Sequence, residues 1–65
     1  MKTEFLLIPN ALDGQDYVVN LGKVREIYID DNTHTAIDFG DDDVTYLNVP
    51  ISTVIELLKQ YRENA

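Results

Sequence analysis

Apolar positions along the chain fall into short runs divided by turn residues, and their period changes once. Glu4 to Ile8 is rich in strand formers and apolar on both faces (Phe5-Leu6-Leu7-Ile8). Pro9-Asn10 and Asp13-Gly14 break that run, Asp-Gly being a strong turn signal. Tyr17 to Leu21 predicts a second strand with Tyr17, Val19 and Leu21 on one face. Gly22-Lys23 allows a bend or bulge. Val24 to Asp30 then alternates, with Arg25, Ile27 and Ile29 on one face and Val24, Glu26 and Tyr28 on the other. Asp31-Asn32 is turn chemistry, because both side chains bond to nearby backbone and tolerate positive φ. Thr35 to Phe39 sets Thr35, Ile37 and Phe39 against Ala36 and Asp38, and Gly40-Asp41-Asp42-Asp43 makes a further turn. Val44 to Val49 is the last strand, with Leu47 and Val49 inward and Tyr46 outward.

After Pro50 the period becomes helical. Ile51, Val54, Ile55 and Leu58 lie at i, i+3, i+4 and i+7, one stripe of a helix. Thr53-Val54-Ile55-Glu56 has capping-box spacing, while Pro50 is tolerated at a first helical position, so the start has two candidates. Glu56 with Lys59, and Lys59 with Glu63, are helix-spaced opposite charges. The helix is too short to stand alone and must lay its stripe on the strands.

The expected fold class is α+β: an antiparallel meander of four to five strands with one C-terminal helix packed on one face, residues 1–65 forming a single small domain. Short turns favour antiparallel neighbours over parallel crossovers. One helix covers one sheet face, which leaves Tyr28 and Tyr46, with Val24 and Val44, on the other. Tyrosine is enriched at interfaces, so that face is a candidate contact surface. Single exposed aromatics on a small sheet are also ordinary.

Composition bounds the function. The chain has 65 residues, five Lys or Arg, twelve Asp or Glu and no cysteine, for a net charge of −7. A domain of this size buries only about 60% of its unfolded surface, and neither disulfides nor a Cys-rich zinc site supplements the core. A protein partner, or a second copy of the chain, is the expected supplement. The acidic balance argues against direct nucleic-acid binding and against an anionic membrane, since both need a basic patch. The run Phe5 to Ile8 is too short for a signal-peptide core or a span, so no membrane insertion and a cytoplasmic location are expected.

Chemistry is sparse. Six aspartates (Asp30, Asp31, Asp38, Asp41, Asp42, Asp43) fall between Asp30 and Asp43 with no Lys or Arg among them. A calcium loop needs alternating oxygen ligands, a central Gly and a closing Glu, and Asp30-Asp31-Asn32-Thr33-His34 has neither the Gly nor the Glu. Solvated turns explain these aspartates. His34 is the only histidine; metal sites and acid–base dyads need a second group, and its neighbours suggest a hairpin position. Ser52 and Thr53 are explained as helix-start residues. No phosphate-binding loop, dinucleotide glycine pattern or nucleophile elbow occurs. No catalytic, cofactor-binding or metal-ligating residue is therefore assigned, and no enzyme is expected.

Gly14-Gln15-Asp16-Tyr17-Val18-Val19-Asn20 followed by Val24-Arg25-Glu26-Ile27 is similar to a pattern in small flagellar FlbD-like proteins. Thr35-Ala36-Ile37-Asp38-Phe39-Gly40 resembles the later strand of that family before its Gly turn, and Val54-Ile55-Glu56-Leu57-Leu58 sits where the family ends in a short amphipathic helix. The chain departs from the family at Asp31-Asn32-Thr33, where the family has Pro-Asp-Thr, and in its balanced tail. The resemblance implies a small cytoplasmic accessory protein working by contact, without cofactor or catalytic residues.

The expected function is a non-enzymatic accessory or adaptor protein that acts through protein contacts and self-associates. Tyr28 and Tyr46 would supply apolar area, and Asp41, Asp42 and Asp43 electrostatic selection. The alternatives are an acidic, phage-type inhibitor that mimics nucleic acid and binds a basic protein, and a divalent-metal-binding module.

Overall fold

The computed structural model describes residues 4–63. In chain order it has β1 (Phe5–Leu12), β2 (Gln15–Asn20), a single 3-10 turn (Leu21–Lys23), β3 (Glu26–Asp31), β4 (His34–Asp38), β5 (Val44–Leu47) and α1 (Ile51–Glu63). Every strand pair is antiparallel, so the α+β class with antiparallel strands and a C-terminal helix is as the pattern predicts. The meander is divided, however, into a two-stranded sheet β1-β2 and a three-stranded sheet β3-β4-β5.

The division has a local cause. Asn20 Oδ1 accepts the Gly22 N–H at 3.0 Å, and the Val24 N–H closes the 3-10 turn onto the Leu21 carbonyl at 3.3 Å. The chain coils here instead of extending, and β3 does not continue the ladder of β2. Arg25 N–H donates instead to the Asp38 carbonyl at 2.8 Å, extending the pairing of β3 with β4.

The turns follow their residues. Asp13 and Gly14 both adopt positive φ (48° and 80°) between the paired Leu12 and Gln15. This is the mirror-image turn that matches strand twist, and Asp-Gly suits it because both central residues need positive φ. Pro9-Asn10 does not end β1 as expected. The strand passes through an irregularity between Ile8 and Leu12, where Asn10 sits at φ 55° and its N–H donates to Asp16 Oδ1 at 3.1 Å. A bulge of this kind absorbs a proline, which has no N–H for a ladder.

Both sheets and the helix share one core: Leu6, Ile8 and Ala11 from β1, Val19 from β2, Ile37 from β4, Leu47 from β5, then Val49 and Val54. The helix lies against β1 and β4 and so bridges the two sheets. Asn48 N–H donates to the Ala11 carbonyl at 2.7 Å, a backbone link from the end of β5 to β1. The buried Thr35 hydroxyl donates to the Val49 carbonyl at 2.8 Å, which satisfies the one buried polar residue among those described.

The helix enters at Ile51, with the Thr53 N–H bonded to the Pro50 carbonyl at 3.0 Å; of the two candidate starts, the proline is used. Its inward stripe is Val54, Leu57, Leu58 and Tyr61, while Ile55 is 46% exposed. The expected stripe of Ile51, Val54, Ile55 and Leu58 is therefore corrected at Ile55, because β1 and β4 lie beneath the side of the helix that carries Val54, Leu57, Leu58 and Tyr61. Among the described residues the one ion pair within 4.0 Å is His34–Asp31, so neither helix pair of Lys59 closes. No described helix is long and apolar enough to cross a membrane.

Candidate functional site

Tyr28 of β3 and Tyr46 of β5 both stand opposite Ala36 of the central strand β4. Directly opposed residues share a face, so the three form one row across the outer surface of the three-stranded sheet. Neighbouring strands lie about 4.8 Å apart, which sets the two tyrosines about 10 Å apart at the backbone. Ala36 is nevertheless completely buried, while Tyr28 is 38% and Tyr46 53% exposed. The short alanine side chain sits between the two longer tyrosines in the register.

Charge around this row comes from the strands. The Tyr28 hydroxyl is pushed above its ordinary 10.0, first by the partial burial of its ring and then by Tyr46, Asp38, Asp30 and Glu26. Glu26 and Asp38 face each other two pairs further along β3 and β4, on the same face. Asp30 lies at the register shift between Ile29 and Asp31.

Asp41, Asp42 and Asp43, grouped with the tyrosines on sequence grounds, are instead the β4–β5 turn. Gly40, Asp41 and Asp42 take left-handed φ in succession (91°, 52° and 63°), a conformation that aspartate visits more readily than most residues. Asp43 N–H bonds the Gly40 carbonyl at 2.9 Å, Phe39 N–H bonds the Asp43 carbonyl at 2.8 Å, and Gly40 N–H donates to Asp38 Oδ1 at 2.7 Å. All three aspartates are exposed, and they are not among the charges acting on Tyr28.

Two features escaped the sequence reading. The first is a carboxylate–imidazole pair at the β3–β4 turn. His34 Nδ1 lies 2.8 Å and 3.0 Å from the two oxygens of Asp31, which also accepts the Thr33 N–H at 2.8 Å and the Thr33 hydroxyl at 3.1 Å. Asp31 is held down to about 2, first by the Thr33 N–H and then by His34. His34 is raised, chiefly by its bond to Asp31. In a nucleophilic triad the carboxylate holds one ring nitrogen and the nucleophile meets the other. Here the Thr33 hydroxyl approaches the same Nδ1 that Asp31 holds, so these contacts close a turn. The spacing of three residues across a tight turn was the signal.

The second feature is an apolar row on the other sheet. Leu7 stands opposite Val18 across the β1-β2 hairpin, with Phe5 two residues along the same face. All three remain about half exposed (51%, 55% and 52%). The signal was present, because a strand apolar on both faces must present one of them somewhere. Among the described residues, neither β1 nor β2 has a further strand on its outer edge.

Among the described residues, no group of three or more His, Asp or Glu side chains is arranged to hold a metal ion. Of the six aspartates between Asp30 and Asp43, Asp30 and Asp31 lie on β3, Asp38 on β4 and Asp41 to Asp43 in the β4–β5 turn. No family model matches the chain, and neither a curated protein nor a solved structure is found similar to it.

Proposed function

We propose that this protein is a non-enzymatic accessory or adaptor module that works through protein contacts and self-associates. The observation that carries this reading is the uncharged outer row of Phe5, Leu7 and Val18, half exposed on a chain of net charge −7. A second copy bears the same excess charge and is repelled at most approaches. A neutral apolar row is where two such copies meet at least electrostatic cost, and covering it removes half-buried side chains from water at roughly 25 cal/mol per Å². The similarity to FlbD-like accessory proteins, carried by Gly14 to Asn20 and Val24 to Ile27, supports the same reading, as does the smallness of the core.

Sedimentation over a range of concentrations tests it. The wild-type chain is expected to pass from monomer to dimer, and Leu7→Lys to stay monomeric with its melting temperature little changed. A wild-type chain that remains monomeric at the highest concentration overturns self-association. The second reading, binding of a basic protein partner, is favoured by the carboxylates gathered around Tyr28.

A further inference from the structure

We propose that the outer face of the three-stranded sheet, Tyr28 and Tyr46 flanking Ala36 with Glu26, Asp30 and Asp38 beside them, docks an arginine-bearing segment of a basic protein. The inference rests on the contact-module reading but on a face separate from the self-association row. The backbone register places Tyr28, Ala36 and Tyr46 in one row. Ala36 is buried between two partly exposed tyrosines, so that row presents aromatic side chains on either side of a small residue.

Charge selects the occupant. Glu26, Asp30 and Asp38 all act on the Tyr28 hydroxyl, and the outward positions of β3, β4 and β5 include no lysine or arginine. Within the described residues the sole ion pair uses Asp31 and His34, so these three carboxylates have no cation of the described residues within 4.0 Å. A second copy on this face would set carboxylates against carboxylates, which is unfavourable. A bare metal ion finds no group of three converging ligands among the described residues. An organic cation meets both halves of the site at once.

Arginine fits better than lysine. Its planar guanidinium stacks on an aromatic face while its N–H groups reach carboxylates at the edge. Lysine offers a compact, strongly hydrated charge that gains less from a ring and cannot form the paired bonds of a fork. Glu26 and Asp38 occupy the pair next but one along the strands from Tyr28 and Ala36, a displacement of about 7 Å. That is within the reach of one guanidinium on a long side chain. The acidic turn at Asp41 to Asp43 contributes only distant field and is dispensable for the contact.

The test is an amide-resolved NMR titration of the full chain with a Gly/Ser peptide bearing arginines at alternate positions, its lysine counterpart, and the uncharged peptide. The expected result is saturable shifts centred on Tyr28, Ala36 and Tyr46, a preference for arginine, and no response to the uncharged peptide. Affinity is expected to fall about tenfold in Tyr28→Leu/Tyr46→Leu and in Glu26→Gln/Asp38→Asn, and to stay within about twofold in Asp41→Asn/Asp42→Asn/Asp43→Asn. Asparagine at 38 retains an acceptor for the Gly40 N–H, and Glu26→Gln alone serves if the double variant unfolds. Shifts centred on residues 40–43, an equal response of the wild-type chain to the arginine and lysine peptides, arginine binding undiminished with the tyrosines removed, or no saturable shift would each overturn the proposal. Self-association measured on the same samples keeps the two readings apart: a chain that dimerises but ignores the arginine peptide loses only this site.

Discussion

The two sheets share one interior and differ outside. On the β1-β2 hairpin the outer row is Phe5, Leu7 and Val18, apolar and uncharged; on β3-β4-β5 it is Tyr28, Ala36 and Tyr46 bordered by Glu26, Asp30 and Asp38. An interior residue sees the same apolar surroundings whichever sheet it belongs to, so the core cannot distinguish the faces. What separates them is how each outer row meets charge. One face suits a neighbour of like charge and the other a neighbour of opposite charge. On the proposed readings, a chain of 65 residues carries two contact surfaces that charge keeps apart.

The largest effect comes from cutting what the sheets share. Ile37 is completely buried on β4 and belongs to the cluster that includes Leu6, Ile8 and Val19 of the hairpin. Ile37→Ala is expected to cost about 2–5 kcal/mol, against a total stability of only ~3–10 kcal/mol for a chain of this length. Because the core is common, amide protection should fall on β1 and β2 together with β3 to β5. A variant whose hairpin keeps its protection while the other sheet loses it would show two cores, and the comparison would have to be redrawn. A smaller loss is expected from Thr35→Val. It keeps the shape but leaves the Val49 carbonyl without its 2.8 Å bond, at about 1–3 kcal/mol by chemical denaturation. A neutral outcome there would mean that water reaches Val49.

These predictions rest on features that the residue pattern discloses unequally. Asp13-Gly14 and Gly40 to Asp43 are legible as turns because their backbones need left-handed φ, and few residue types supply it. The inward set Val19, Ile37 and Leu47 follows from alternation alone. The split into two sheets does not, since it depends on one side-chain bond, Asn20 to the Gly22 N–H, that periodicity does not register. The helical stripe was read only in part for a related reason: spacing near 3.6 put Ile55 inward and passed over Leu57 and Tyr61, and which side of the helix is covered belongs to what lies beneath. The outer rows are legible as residues but not as neighbours. Only the register brings Leu7 to Val18, or lays Tyr28 and Tyr46 on either side of Ala36. That register also separates the tyrosines from Asp41, Asp42 and Asp43, which composition had drawn together.

On the surface, a reciprocal pair of substitutions sharpens the comparison with little effect on folding. Leu7→Lys places a charge in the neutral row, and Tyr46→Lys places one in the acidic row. Each is expected to change stability by no more than about 0.5 kcal/mol, as exposed positions usually do. Leu7→Lys should abolish dimerisation and leave the arginine-peptide response intact, while Tyr46→Lys should do the reverse. If either variant removes both properties, the two faces are one surface.

The smallest effect isolates one end of the three-stranded sheet by pH. His34 lies above its ordinary 6.5, mainly through its bond to Asp31 and then through that carboxylate's charge, Asn48 and Asp30, with partial burial opposing. A group raised on folding contributes fully below its unfolded value and loses that contribution as pH rises through the folded one. Asp31 moves the other way, from 3.8 to about 2, so its contribution is complete above 3.8 and fades as pH falls towards 2. The pair therefore supports the β3–β4 turn most between 3.8 and 6.5. Both groups are exposed, so the change is small and screened by salt. NMR titration should place the His34 midpoint above 6.5 in the wild-type chain and lower in Asp31→Asn. Melting temperature should decline gently from pH 6 to 8, with the decline flattened in that variant. The β1-β2 hairpin has no histidine, so its amides should keep their shifts across the range. Movement there in step with His34 would mean that the turn and the hairpin are coupled through the core, and that the sheets are less independent at their surfaces than their outer rows imply.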